Sequence, residues 1–163
     1  MNKSDRKSTI KIIISWLLVL IWMVVIFSFS NMDKEHSSSV SKGLISNTVI
    51  ASYEVGNKLG IVDKIPSDKE INKIVLKTHV PVRKIAHFSE YLILSLLVIN
   101  ALKNSGVKNK LLITAFLMCL IYSCSDELHQ IFINGRAGKI IDIVIDSSGS
   151  IFGILVYKFI KKI

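Results

Sequence analysis

Three stretches of this chain set ionisable side chains one helical turn apart, inside or beside apolar runs. Lys84, His87 and Tyr91 fall at i, i+3 and i+7, with Glu90 among them. Asp126, His129 and Gln130 fall at i, i+3 and i+4, with Glu127 beside them, and Arg136 follows six residues after Gln130. Asp142 and Asp146 are four apart, and Gly149 and Gly153 continue the same stripe. Such spacings place side chains on shared helix faces; Glu90 and Glu127 point off those stripes, toward neighbouring helices. Three kinds of chemistry suit the sets: proton transfer by a histidine that a carboxylate orients, capture of a phosphate or carboxylate by Lys84, Arg136 and Arg83 with His87, Glu90, Asp126 and His129 orienting the ligand, and a proton relay between Asp142 and Asp146.

The charge tally of the cluster is uneven. Glu90, Asp126, Glu127, Asp142 and Asp146 are acids, against the fixed cations Lys84 and Arg136. With His87 and His129 neutral, a formal surplus of three negative charges remains. Protonated carboxyls, protonated histidines or a bound cation would each relieve it, as would help from Arg83 and Lys139. Metal binding is therefore left open, and no cofactor is expected. Only Arg6, Arg83 and Arg136 are arginine among 21 basic residues, and two of these three stand beside the polar sets, where a planar multi-donor cation has uses that lysine lacks.

Several common chemistries leave no trace. There is no HExxH pair for zinc, no G-x-S-x-G nucleophile elbow and no P-loop. Cys119 and Cys124 lie in one apolar run without a CxxC pattern and read as packing residues. No paired Gly-interrupted half-helices mark an inverted-repeat transporter.

The elements that must position these residues are membrane-spanning helices. Of 163 residues, 50% are hydrophobic and 20% charged, and the apolar residues come in blocks. Residues 12–29 form an unbroken run with Ser15 and Ser28 as its polar members, long enough to span. It lacks the A-x-A-like site of a signal peptide and reads as a retained anchor. Residues 85–102 form a second span. The third apolar run, Leu111–Cys124, covers roughly 21 Å, short of the bilayer core. The helix is therefore expected to continue over 111–133, taking Asp126, Glu127, His129 and Gln130 to the membrane edge. Residues 140–160 form the fourth span. The fold expected is an all-α integral membrane bundle of four transmembrane helices.

The net charge of +9 sits between these blocks, which makes it a topology signal rather than a nucleic-acid footprint. Lysines and Arg6 before the first span, Lys103, Lys108 and Lys110 after the second, and Lys158, Lys161 and Lys162 after the fourth predict that both termini are cytoplasmic. Every intramembrane ionisable residue then lies at the outer end of its span. The outer segment 31–83 is expected to carry short amphipathic helices, one through Val40, Leu44, Ile45 and Val49, and one through Ile71, Ile74, Val75 and Thr78 that ends before Pro81. Gly60 and Pro66 mark a turn between them. Gly149 and Gly153 form a GxxxG motif for close helix packing.

The residues Arg83-Lys84-Ile-Ala-His87-Phe88-Ser-Glu90-Tyr91 and Ser125-Asp126-Glu127-Leu-His129-Gln130-Ile-Phe132, continuing as Gly135-Arg136, Asp142, Asp146, Gly149 and Gly153, resemble the VanZ-like family of small bacterial membrane proteins. The Phe27-Ser28-Phe-Ser30 end of the first span fits as well, and the resemblance runs over most of the chain as one VanZ-like domain. Two positions depart from the family's pattern: Asn134 stands where a proline often precedes Gly-Arg, and Asp146 stands where asparagine is common. The resemblance implies a multi-pass protein of the bacterial cell envelope, and the founding member is associated with resistance to teicoplanin.

Three functional readings follow. In the first, the protein lowers susceptibility to teicoplanin-type glycopeptides without catalysis. Its partners are then membrane lipids and a lipid-linked cell-wall precursor or lipoglycopeptide, whose polar group meets the outward cluster. In the second, it is a membrane enzyme that modifies an envelope lipid or peptidoglycan precursor, with His87 or His129 as the acid–base residue. The third, a proton-coupled transporter, suffers from having its charges at one end only. A purely structural ion-pair network is the plain counterpart to all three.

Overall fold

The computed structural model describes residues 3–32, 34–61 and 66–162. Five helices follow in order: α1 Lys3–Ser30, α2 Lys34–Lys58, α3 Asp68–Asn104, α4 Leu111–Gln130 and α5 Ile140–Lys162. No strand occurs among the described residues. Four helical stretches are long and apolar enough to cross a membrane: Ser8–Ser30, Asp68–Asn104, Leu111–Gln130 and Ile140–Lys161. The fold is an all-α membrane bundle. By its contacts the chain divides into two compact units, one of Met1–Met32 and Ala86–Ile163, the other of Asp33–Ile85.

The first unit holds α1, α4, α5 and the part of α3 from Ala86 onward. Its core is built from Val19 and Ile26 of α1, Leu94, Val98 and Ile99 of α3, and Ala115 and Cys119 of α4. Indole and phenol groups tie the helices together where apolar packing alone would let them slide. Trp22 Nε1 donates to the Glu90 carbonyl at 2.9 Å, Trp16 Nε1 to Ser105 Oγ at 2.9 Å, and Tyr122 to the Met23 carbonyl at 2.6 Å. Outward faces are apolar too: Ile21, Val24, Ile113, Ile121, Leu155 and Phe159 are exposed. A surface of that kind suits lipid, since hydrocarbon exacts no cost for exposed leucine or isoleucine.

The third span stops earlier than 133. α4 ends at Gln130, and the chain then tightens into three-residue turns, with Phe132 N–H donating to His129, Ile133 to Gln130 and Arg136 to Ile133. Gly135 takes a left-handed φ of 71°, a conformation that glycine adopts without a steric penalty. The sequence Asn134-Gly135 thus turns the chain where the apolar residues Ile131, Phe132 and Ile133 suggest more helix.

In the second unit, α2 is far longer than the short helix expected around residues 40–49. Ser39, Ser41, Thr48 and Ser52 return their hydroxyls to carbonyls about a turn earlier, Ser41 to Ser37 at 3.0 Å and Thr48 to Leu44 at 2.8 Å, an intrahelical use of polar side chains that lets this stretch stay helical. α3 begins on a capping box: Glu70 Oε2 accepts from both the Ser67 N–H at 2.9 Å and the Ser67 hydroxyl at 2.8 Å. The expected end before Pro81 does not occur, and Pro81 lies inside α3. Proline removes one ladder bond but already has helical φ, and the helix-compatible sequence on both sides carries α3 through it.

Candidate functional site

Close packing of α5 on α3 creates the first half of the site. A Cβ on Gly149 would run into the Phe88 carbonyl oxygen, and one on Gly153 would meet Ser95 Oγ and stand 2.7 Å from the Leu92 carbonyl oxygen. Only hydrogen fits at these points, and the backbones approach accordingly. Asp146, a turn before Gly149, is thereby brought to His87, the neighbour of Phe88. His87 Nδ1 lies 3.6 Å from Asp146 Oδ1 and 3.9 Å from Glu90 Oε2. Asp146 is fully buried, and its Oδ2 accepts a 2.6 Å hydrogen bond from Ser123 of α4. Tyr91, also fully buried, sets its ring 6.2 Å from that of Tyr122.

The second half centres on Gln130. Its Nε2 donates to Asp126 Oδ2 at 3.1 Å and to Glu127 Oε1 at 3.0 Å, while its Oε1 accepts from Arg136 at 3.3 Å. Another guanidinium nitrogen of Arg136 donates to the Phe29 carbonyl at 3.3 Å, one of the last carbonyls of α1, where a helix leaves acceptors unfilled and favours a cation. Glu127 Oε2 accepts the Lys139 backbone N–H at 2.7 Å. Gly138 sits so tightly against α4 that a Cβ would overlap the Glu127 carbonyl oxygen. The link between α4 and α5 is thus fastened at Arg136 and at Lys139.

The faces differ in part from helical-wheel expectation. Ser123, Asp126, Glu127 and Gln130 are buried together on α4. Glu127 therefore belongs to the buried stripe, and His129 stands to one side of it. There, half-buried, it faces α1, with Nε2 3.3 Å from Asn31 Oδ1 and its ring 4.8 Å from that of Phe27. Asp142 opens α5, its N–H bonded to the Lys139 carbonyl at 2.9 Å, within electrostatic reach of His87 and Glu127. Lys84 belongs to the other unit. Ser123, Gly138 and the Phe29 carbonyl were not singled out from sequence. Ser123 could have been, since it falls one turn before Asp126 and Glu127; a backbone carbonyl leaves no signal.

Some polar atoms of this layer are buried with no hydrogen-bond partner among the described residues: His87 Nδ1, Tyr91 Oη, Asp126 Oδ1, Asp146 Oδ1 and Ser30 Oγ. Among the described residues, no three His, Cys, Asp or Glu side chains gather in a set that would hold a metal ion.

A family model described as VanZ/LLP1 matches residues 15–161. The chain belongs to the VanZ/LLP1 family. The VanZ/LLP1 match takes in both halves of the layer, from Phe29 to Asp146, and the glycines that bring α5 against α3. No curated protein and no solved structure gives a significant match to the chain.

Proposed function

We propose that this VanZ/LLP1 protein works in the bacterial cell membrane with both termini cytoplasmic and its polar layer at the outer face. There it binds the polar part of a lipid-anchored ligand, a cell-wall precursor or a lipoglycopeptide, and so lowers susceptibility to teicoplanin-type glycopeptides. The observation that carries this reading is the set of unfilled buried atoms. Buried polar groups are normally satisfied, and leaving one unmade costs about 1–3 kcal/mol. His87, Tyr91, Asp126 and Asp146 keep such atoms beside the hydrogen bonds that Gln130 and Glu127 make.

The division also indicates what the ligand brings. Arg136 is committed to Gln130 and Phe29, so it acts as a clasp rather than as an anion receptor. Asp126 Oδ1 is an acceptor without a hydrogen bond, and Asp146 Oδ1 has His87 Nδ1 beside it at 3.6 Å; acceptors of this kind suit hydroxyl or ammonium donors such as those of a sugar or amino sugar. Protection against thermal unfolding in detergent by a lipid-linked cell-wall precursor tests the binding step. It should be strong for wild type and weak for Asp126→Asn; equal protection of both would remove the layer from ligand binding.

One observation favours a second, enzymatic reading. His87 has a buried carboxylate at its Nδ1 side, and Ser123 fixes that carboxylate from behind, the arrangement that orients a histidine for proton transfer. Loss of one envelope lipid or precursor species on expression, restored by His87→Ala, would support it, and an unchanged lipid profile would dismiss it.

A further inference from the structure

The other end of the bundle carries a separate cleft with a basic lining. Where α4 begins and α5 ends there is a cleft of about 790 Å³. It lies about 15 residues of α4, roughly 20 Å, from the polar layer. Lys108, Lys110, Lys158 and Lys161 line it, together with Tyr157 and the first three residues of α4. Among its described lining residues none is acidic.

Three further features point the same way. α4 starts without a side-chain cap, and its first ladder bond runs from Thr114 N–H to the Lys110 carbonyl. The preceding amides, on Leu111, Leu112 and Ile113, belong to the residues that line the cleft. The Tyr157 hydroxyl is buried without a hydrogen-bond partner, and Tyr157 also lines it. Four ammonium groups around one cleft repel one another, and the positive end of a helix adds to the field. An anion would satisfy the amides and the lysines together, as at other helix N-termini.

We infer that this cleft binds a phosphate group, supplied by the headgroup of an anionic phospholipid. Basic pockets between transmembrane helices are suited to such headgroups, and exposed apolar residues of α4 and α5, among them Ile113 and Phe159, give the acyl chains a surface to lie on. The plainer alternative is that these lysines only fix orientation in the membrane, in which case they have no preference among lipids.

The experiment uses the full chain in a neutral detergent and reads thermal unfolding with added phosphatidylglycerol, phosphatidylcholine or inorganic phosphate. Phosphatidylglycerol at a hundred times its Kd is expected to raise Tm by roughly 5 °C or more, with no shift from phosphatidylcholine. The Lys110→Gln/Lys158→Gln double variant should lose most of that shift. A full shift from inorganic phosphate alone would keep the phosphate site and assign it to a soluble anion. Equal shifts from the two lipids, or a full shift retained by the double variant, would overturn the inference. Should the double variant fail to fold, the single variant Lys161→Gln, which removes one of the lining charges, is expected to weaken phosphatidylglycerol binding roughly two- to tenfold; an unchanged Kd would overturn it as well.

Discussion

Gly149 leaves no space for a side chain between α5 and the Phe88 carbonyl, and that closeness is what sets Asp146 3.6 Å from His87. Gly149→Ala is therefore expected to force the helices apart and to cost about 1–3 kcal/mol, the usual range for overpacking. Thermal unfolding in detergent measures it. Gly43, inside α2 with nothing near its would-be Cβ, is the contrast: Gly43→Ala should stabilise by about 0.5–1 kcal/mol.

Arg136 joins the α4–α5 link to the end of α1. Arg136→Ala removes the donors to Gln130 and to the Phe29 carbonyl, which predicts a loss of about 1–3 kcal/mol. Arg136→Lys should restore little of it, because a single ammonium cannot reproduce the planar fork. Faster amide exchange over the last turn of α1 and the Asn31–Met32 amides in both variants is the local readout.

Glu127 uses both oxygens, one for Gln130 and one for the Lys139 amide. Glu127→Gln keeps one acceptor and so should speed exchange of the Lys139 amide modestly. Glu127→Ala, which keeps neither, should speed it more and loosen the first turn of α5. Equal exchange in wild type and Glu127→Ala would mean that this bond does not hold the link.

Asp146→Asn should fold almost as wild type does. An asparagine oxygen still accepts from Ser123, and its amide can donate to the neighbouring His87 Nδ1. Asp146→Ala leaves Ser123 without its acceptor and His87 without the carboxylate beside it and is expected to lower stability by about 1–3 kcal/mol. Tm values of the two variants in the same detergent separate these cases.

Much of the bundle is legible in the sequence because lipid imposes a simple rule: long apolar runs with charges between them. The ends of elements are less so. Apolar Ile131–Ile133 suggests helix, and the Asn134-Gly135 turn prevails; Pro81 suggests a stop, and the flanking helix prevails. The polar layer was visible as residue types at helical spacing. Which face each residue takes was not, since Glu127 and His129 exchange places once α4 packs between α1 and α5. The Phe29 carbonyl and the tight seat of Gly138 depend on backbone approach, which no side-chain pattern records.

The most direct measurement is the minimum inhibitory concentration of teicoplanin, with vancomycin alongside, in a susceptible Gram-positive host. Wild type, His87→Ala and Asp126→Ala are compared at matched membrane abundance. Wild type is expected to raise teicoplanin tolerance several-fold, and both variants are expected to lose the gain. No change on expression of membrane-inserted wild type, or a full gain retained by both variants, would contradict it.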